Sequence, residues 1–307
     1  MRILIVGAGA TGGYYGGRLA QAGRDVTFLV RGARMRQVQE RGLEIVSRRG
    51  DATIHPQLVT AGQLEADTPY DVVIVSTKAY ALEAALADFA CSVGPETLVI
   101  PVLNGMLHFD VLKKRFGSDR VFGGSVRIVS DLDEQGRIHQ LTDLDEFIFG
   151  ELGGGISERA ERLRQEFNVP GYTLTLADNM TAALWRKWWI LATMGGLCVV
   201  SGGNVGEMVA VPHGAETARA ILREAISIAE ANGYAADPAF AAEQERRMTD
   251  PASSLTSSMF RDMMKGAPVE ADHILGDFIA RAKGVPVPLL TGAYVRLKVY
   301  EAKRLSS

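Results

Sequence analysis

Gly7, Gly9 and Gly12 stand in G-x-G-x-x-G spacing directly after the apolar, β-branched run 3–6. Between a strand and a helix, that spacing builds a dinucleotide site. The first glycine allows the tight turn, the second lets the backbone approach a pyrophosphate, and the third lets helix and strand pack closely. The phosphates then rest on N–H groups at a helix N-terminus. Without a ligand, the same residues make only a glycine-rich turn. Arg31 ends a second apolar run, at the place where NAD-preferring folds usually carry an acid. A guanidinium there suits a 2′-phosphate, with Arg34 near enough in sequence to assist, so the expected cofactor is NADP(H). Solvated loop charges are the alternative for both arginines.

Lys78 and Asn104 follow two more apolar runs. Open α/β sheets bind their ligands outside the carboxyl ends of strands, which is where both residues fall. From position alone, Lys78 reads equally as a cofactor or substrate contact and as a solvated lysine. Asn104 can hydrogen-bond a nicotinamide ribose or a substrate oxygen, or simply open an Asn-Gly turn with Gly105. Lys187 lies among Trp185, Trp188 and Trp189. Desolvation would lower the pKa of its ammonium and suit it to proton transfer. A lysine snorkelling from the edge of a core is the plainer reading. Positions 187, 191 and 195 share one helix face.

Positioning these groups takes an ordered set of elements. Strands are expected at 3–6, 26–30, 71–76 and 97–103, with helices at 12–22, closed by Gly23, and at 81–90. Residues 43–47 and 52–54 read as a small hairpin or a peripheral strand. Runs at 121–129, 137–141 and 146–149, with a turn at 133–136, read as an antiparallel extension of the same sheet. A helix at 157–167 and a strand at 172–176 follow. Beyond Asp178, read as the cap of a long apolar helix reaching about 200, strand signals stop. Further helices are expected at 215–231, 238–248, 255–264, 270–283 and 288–304. The fold class is therefore α/β followed by all-α, divided into 1–177 and 178–307.

The 307 residues are 47% hydrophobic and 22% charged, an ordinary globular balance. A net charge of −3 gives no electrostatic case for nucleic acid or an anionic membrane. Cys91 and Cys198 have no partners at metal-ligand spacing, so no metal is expected, and thiols in a reducing cytoplasm are. The chain opens directly on a strand, so no signal peptide is expected, and the nearly apolar run 188–200 is too short to span a bilayer.

Over nearly its whole length the sequence resembles the ketopantoate reductase (2-dehydropantoate 2-reductase) family. The likeness rests on Gly7, Gly9 and Gly12, on Arg31, on Ser76, Thr77 and Lys78, and on Asn104, Gly105 and Met106. It continues through Leu184, Trp185, Arg186 and Lys187, then Ser257, Ser258 and Met259 with Asp262, and Glu270. The resemblance implies a Rossmann-type dinucleotide-binding domain followed by an all-α domain like the C-terminal domain of 6-phosphogluconate dehydrogenase, with the active site in a cleft between them. The implied reaction is NADPH-dependent reduction of 2-dehydropantoate to pantoate, in pantothenate biosynthesis.

By the same resemblance, Lys187 polarises the ketone and protonates its oxygen, and Glu270 orients Lys187 and helps bind substrate. Ser258 bonds the substrate carboxylate. Asn104 lies near the nicotinamide ribose and the ketone, and Lys78 and Arg31 are basic contacts of the cofactor. The family usually presents asparagines four and eight residues beyond this lysine, where this chain has Leu191 and Gly195. That departure opens an alternative, a reductase of a bulkier or less polar 2-oxo acid, with Asn204 as a residue that could compensate. A non-catalytic NADP(H)-binding sensor is a third reading, disfavoured because a pure binder needs no proton donor. The expected partner is a small 2-oxo acid, with no nucleic acid or membrane and a homodimer left open.

Overall fold

The computed structural model describes residues 1–306, which form two compact units. The first comprises Met1–Leu103 and His108–Thr181; the second comprises Asn104–Leu107 and the chain from Ala182 on.

The first unit runs β1 (Arg2–Val6), α1 (Ala10–Gln21), β2 (Asp25–Leu29), α2 (Gly32–Arg41), β3 (Leu43–Val46), β4 (Ala52–Ile54), β5 (Gln57–Val59), β6 (Val72–Val75), α3 (Leu82–Phe89) and β7 (Leu98–Pro101). It continues through α4 (Leu107–Phe116), β8 (Gly123–Leu132), β9 (Ile138–Gly150), α5 (Glu158–Phe167) and β10 (Thr173–Leu176). β5, β2, β1, β6 and β7 pair in that order, all parallel, with Ile3 between Val26 and Val72. Strands buried on both faces need no polar alternation, which is why β1 and β6 read as unbroken apolar runs.

The stretch after 121 does not extend this sheet. β8 pairs antiparallel with β9, and β9 also pairs with β3 and β10, giving a second sheet ordered β10-β9-β3-β4. A parallel bridge between Val99 and Val121 links it to the first sheet. The physical reason lies in α1, which packs between the two sheets on bare backbone. A Cβ on Gly16 would stand 2.7 Å from Ile5 and 2.8 Å from the Phe28 ring, and one on Gly17 would stand 2.9 Å from Ile45 of β3. The buried hydroxyls of Tyr14 and Tyr15 donate to the carbonyls of Gly171 (2.7 Å) and Glu146 (3.0 Å), fixing the helix to the second sheet and its border.

The second unit is helical: α6 (Met180–Ser201), α7 (Val205–Val209), α8 (Gly214–Ala231), α9 (Pro238–Met248), α10 (Ser258–Met264), α11 (Asp277–Ala280) and α12 (Pro288–Ser306). Trp185, Trp188, Trp189, Ile221, Phe278 and Leu290 form its core. α6 starts at Met180, two residues past Asp178, whose carbonyl instead accepts the Gly155 N–H at 2.7 Å. α10 starts later than expected, because Ser257 takes the capping position and accepts the Phe260 N–H at 3.0 Å. The expected helix 270–283 is a wide π-helical turn, Asp272–Gly276, leading into α11. Among the described residues, no helix is long and apolar enough to cross a membrane.

Candidate active site

The glycine loop has the shape that a phosphate cradle requires. Gly7 adopts φ +99° and donates its N–H to Leu29 at 3.1 Å, turning the chain out of β1. Gly9 precedes α1 and has open space where a Cβ would point. At Gly12 a Cβ would run into Ser76 and the Gly7 carbonyl, so this glycine is needed for packing. Ser76 Oγ donates to the Val6 carbonyl at 2.9 Å and pins the loop from β6. Beside it, Thr77 Oγ1 is buried with no protein partner. A bare helix N-terminus, an open front at Gly9 and an unsatisfied hydroxyl together fit a dinucleotide's phosphates and ribose.

Both arginines are held in place. Arg31 directs Nε at Asp88 Oδ2 (2.6 Å) and Nη2 at the Ala84 carbonyl (3.0 Å), so the first and last turns of α3 together position it just past the end of β2. Arg34 donates to the Ala8 carbonyl (2.7 Å), the Gly136 carbonyl (2.6 Å) and Gln37 Oε1 (2.7 Å). Its partners are neutral oxygens, Nη2 is buried without one, and burial pulls its pKa below the usual arginine value. Lys78 is exposed just past the end of β6.

The remaining candidates lie in the helical unit. Lys187 is half-buried on α6, and Glu270 is buried, 6% exposed. The tryptophans do not enclose the lysine. At 3.6 residues per turn they project about 100° or more away from it. They pack inside on Tyr234, Phe278 and Phe240, with ring centroids 5.3, 4.9 and 5.8 Å apart. Their role is to fix α6 and the Glu270 segment. Trp188 Nε1 donates to the Ile274 carbonyl at 3.0 Å, and Ile274 donates its N–H to the Glu270 carbonyl. Ser258 is half-buried at the start of α10. Asn104 groups with this unit, and Gly105, at φ +79°, abuts the His273 carbonyl where a Cβ would be. The chain bends at the Asn-Gly pair, and Asn104 belongs to the same helical unit as Lys187 and Glu270.

Comparison with known proteins agrees with this layout. Residues 3–154 match the family model of ketopantoate reductase PanE/ApbA, and residues 179–301 match its C-terminal counterpart. The chain belongs to the ketopantoate reductase family. It is an oxidoreductase of that family. The uncharacterized oxidoreductase YkpB of Bacillus subtilis is 36% identical over 99% of this chain and 100% of its own length. The 2-dehydropantoate 2-reductase structure from Methylococcus capsulatus superposes with TM-score 0.86 at 27% identity, covering 99% of this chain and 98% of that one. D-Mandelate dehydrogenase, solved with NADH and anilino(oxo)acetate, has TM-score 0.87 at 25% identity, covering 99% of both chains.

Within this ketopantoate reductase fold, the face of α6 below Lys187 is apolar. Leu191 is half-buried against the helical core. A Cβ on Gly195 would lie 2.9 Å from the Met259 methyl, so the room left by the missing side chain is already filled. Gly195 therefore makes the face less polar without making it larger. Asn204 caps α7: its Oδ1 accepts the Glu207 N–H at 2.9 Å, while Glu207 accepts the Asn204 N–H at 2.7 Å. That capping box commits the amide oxygen to the fold. Missed in the sequence are the roles of Ser76 as the clamp of the glycine loop, of Asp88 as the partner of Arg31 and of Met259 as the side chain that fills the space at Gly195. Each acts across a long sequence separation, where spacing carries no signal.

Proposed function

We propose that this oxidoreductase reduces a 2-oxo acid to the 2-hydroxy acid with NADPH, ketopantoate being the reference substrate. The cofactor falls to 1–177 and the substrate chemistry to 178–307. When bound, the reduced nicotinamide supplies the hydride; the chain's own residues bind, orient and protonate. The glycine loop, pinned by Ser76, holds the phosphates, and Arg31 with Arg34 meet the 2′-phosphate. Lys78 and Asn104 contact the cofactor, Asn104 also reaching the ketone, and Ser258 bonds the carboxylate. As the hydride adds to C2, the C=O π pair moves onto oxygen, and Lys187 gives that oxygen a proton from Nζ. Glu270, buried and anchored through Ile274, orients the ammonium. A cationic donor stabilises the growing negative charge most where water is excluded.

The observation that supports this reading is that Trp188, next to the half-buried Lys187 on α6, donates its indole N–H to Ile274, in the turn that follows the buried Glu270. Lys187→Ala is expected to lower kcat by about 10²–10⁴-fold, the usual worth of a positioned general acid. NADPH affinity, followed by nucleotide fluorescence, should be unchanged. Undiminished turnover would remove Lys187 from the mechanism.

A second reading, favoured by Leu191 and by Met259 against Gly195, is a less polar 2-oxo acid as the preferred substrate. A comparison of kcat/KM for ketopantoate and trimethylpyruvate, which lacks only the hydroxyl, decides between them. The proposed compartment is the cytoplasm, supported by the free thiols of Cys91 and Cys198. The proposed assembly is a homodimer, supported by Val295 and Val299, exposed one turn apart on α12, and checked by sedimentation equilibrium.

A further inference from the structure

We propose that Asp88 sets how strongly this protein distinguishes NADPH from NADH, acting as a positioning residue through Arg31. The inference rests on the reading that Arg31 meets the 2′-phosphate. Arg31 Nε bonds Asp88 Oδ2 at 2.6 Å, Nη2 pairs with the same carboxylate oxygen, and Nη2 also reaches the Ala84 carbonyl at 3.0 Å. The guanidinium fork that would grip a phosphate is thus already occupied by an anion.

The two partners are not equivalent. The Asp88 side chain is 22% exposed and sits in the last turn of α3, whereas the Arg31 side chain is 60% exposed. The acid is the fixed member and the arginine the movable one. An acid near a helix C-terminus is disfavoured by the helix dipole, so it holds its cation firmly. An arriving 2′-phosphate must share Arg31 with Asp88 and bear the repulsion between the two anions. A ribose 2′-hydroxyl carries no charge and faces neither cost. Asp88 also returns an acid to the neighbourhood of the β2 terminus, supplied from α3, where NAD-binding folds carry it on β2 itself. Arg34 differs, since its bonds go only to neutral oxygens and leave its charge available to phosphate.

The test is fluorescence titration of the full chain with NADPH and with NADH. Asp88→Asn, isosteric and uncharged, is expected to tighten NADPH about fivefold, the scale of one exposed ion pair. NADH affinity should move by no more than about twofold. Asp88→Glu, which keeps the charge, should preserve the wild-type ratio. In an Arg31→Ala background the gain from Asp88→Asn should fall to less than about twofold, the part left by relief of the anion repulsion alone. An unchanged NADPH/NADH ratio in Asp88→Asn, or an equal gain without Arg31, overturns the proposal. If Arg31→Ala alone leaves NADPH affinity intact, the assignment of Arg31 to the 2′-phosphate fails, and this inference fails with it.

Discussion

Trp188 donates its indole N–H to the carbonyl of Ile274 at 3.0 Å, within the turn that begins just after Glu270. One buried bond therefore sets the distance between the helix of the proposed proton donor and the segment of its proposed partner. Trp188→Phe keeps an aromatic ring in the core but leaves that carbonyl without its donor. A loss of about 1–3 kcal/mol in folding stability is expected from one unsatisfied buried group. Turnover should fall while NADPH affinity stays fixed, because the cofactor loop is untouched. Denaturant midpoints and kcat check the two halves separately.

The glycine loop makes a contrast that one pair of variants reads. A Cβ on Gly9 meets open space, whereas a Cβ on Gly12 meets Ser76 and the Gly7 backbone. Gly9→Ala should change stability by less than about 0.5 kcal/mol yet weaken NADPH binding, because the methyl occupies the phosphate's approach. Gly12→Ala should cost about 1–3 kcal/mol as well as cofactor affinity, the scale of overpacking a filled site. If both variants melted alike and bound alike, the separate roles given to these glycines would be wrong.

These contrasts also show where sequence stops speaking. β1 and β6 were legible because strands buried on both faces are apolar without interruption, and β2 because its one polar break, Thr27, is itself β-branched. α2 was not, since only Val38 of its ten residues is buried and the rest is a polar, arginine-rich surface. The edge strand β5 is three residues long, too short for a periodic pattern. The second sheet depends on pairings such as Ile45 with Ile138, which no local pattern encodes. At the site, residue identities were legible but surroundings were not. The tryptophans adjacent to Lys187 in sequence turn away from it, while Arg31 meets an acid 57 positions along the chain.

Acid stability gives a test of the first unit. Burial raises the pKa of Glu151, but bonds from Arg159 (Nε 2.8 Å, Nη2 2.8 Å) and Ser157 (2.6 Å) outweigh it and hold the carboxyl below 4.5. A depressed folded-state pKa contributes stability above the unfolded value, and that stability is lost as pH falls through the folded one. Urea midpoints of wild type and Glu151→Gln should differ most at neutral pH and converge below 4.5. A gap that stays constant down to about pH 3 would show that the carboxylate charge is not what Glu151 contributes.

The α6 face supplies the sharpest test of substrate class. Below Lys187 the helix offers Leu191, and at Gly195 the Met259 methyl fills the vacant position. A substrate hydroxyl lying on this face finds no hydrogen-bond partner in these side chains and loses its water on binding. A site with a matching polar group discriminates strongly for that hydroxyl; one without it does not. Leu191→Asn restores an amide to the face without touching Lys187, Glu270 or the cofactor loop. The ratio of kcat/KM for ketopantoate over trimethylpyruvate should rise about tenfold, the worth of one new hydrogen bond to a desolvated hydroxyl. On the less polar reading, wild type favours trimethylpyruvate. A wild-type preference for ketopantoate, with no response to Leu191→Asn, would place the substrate's hydroxyl away from this face and return the protein to pantoate chemistry.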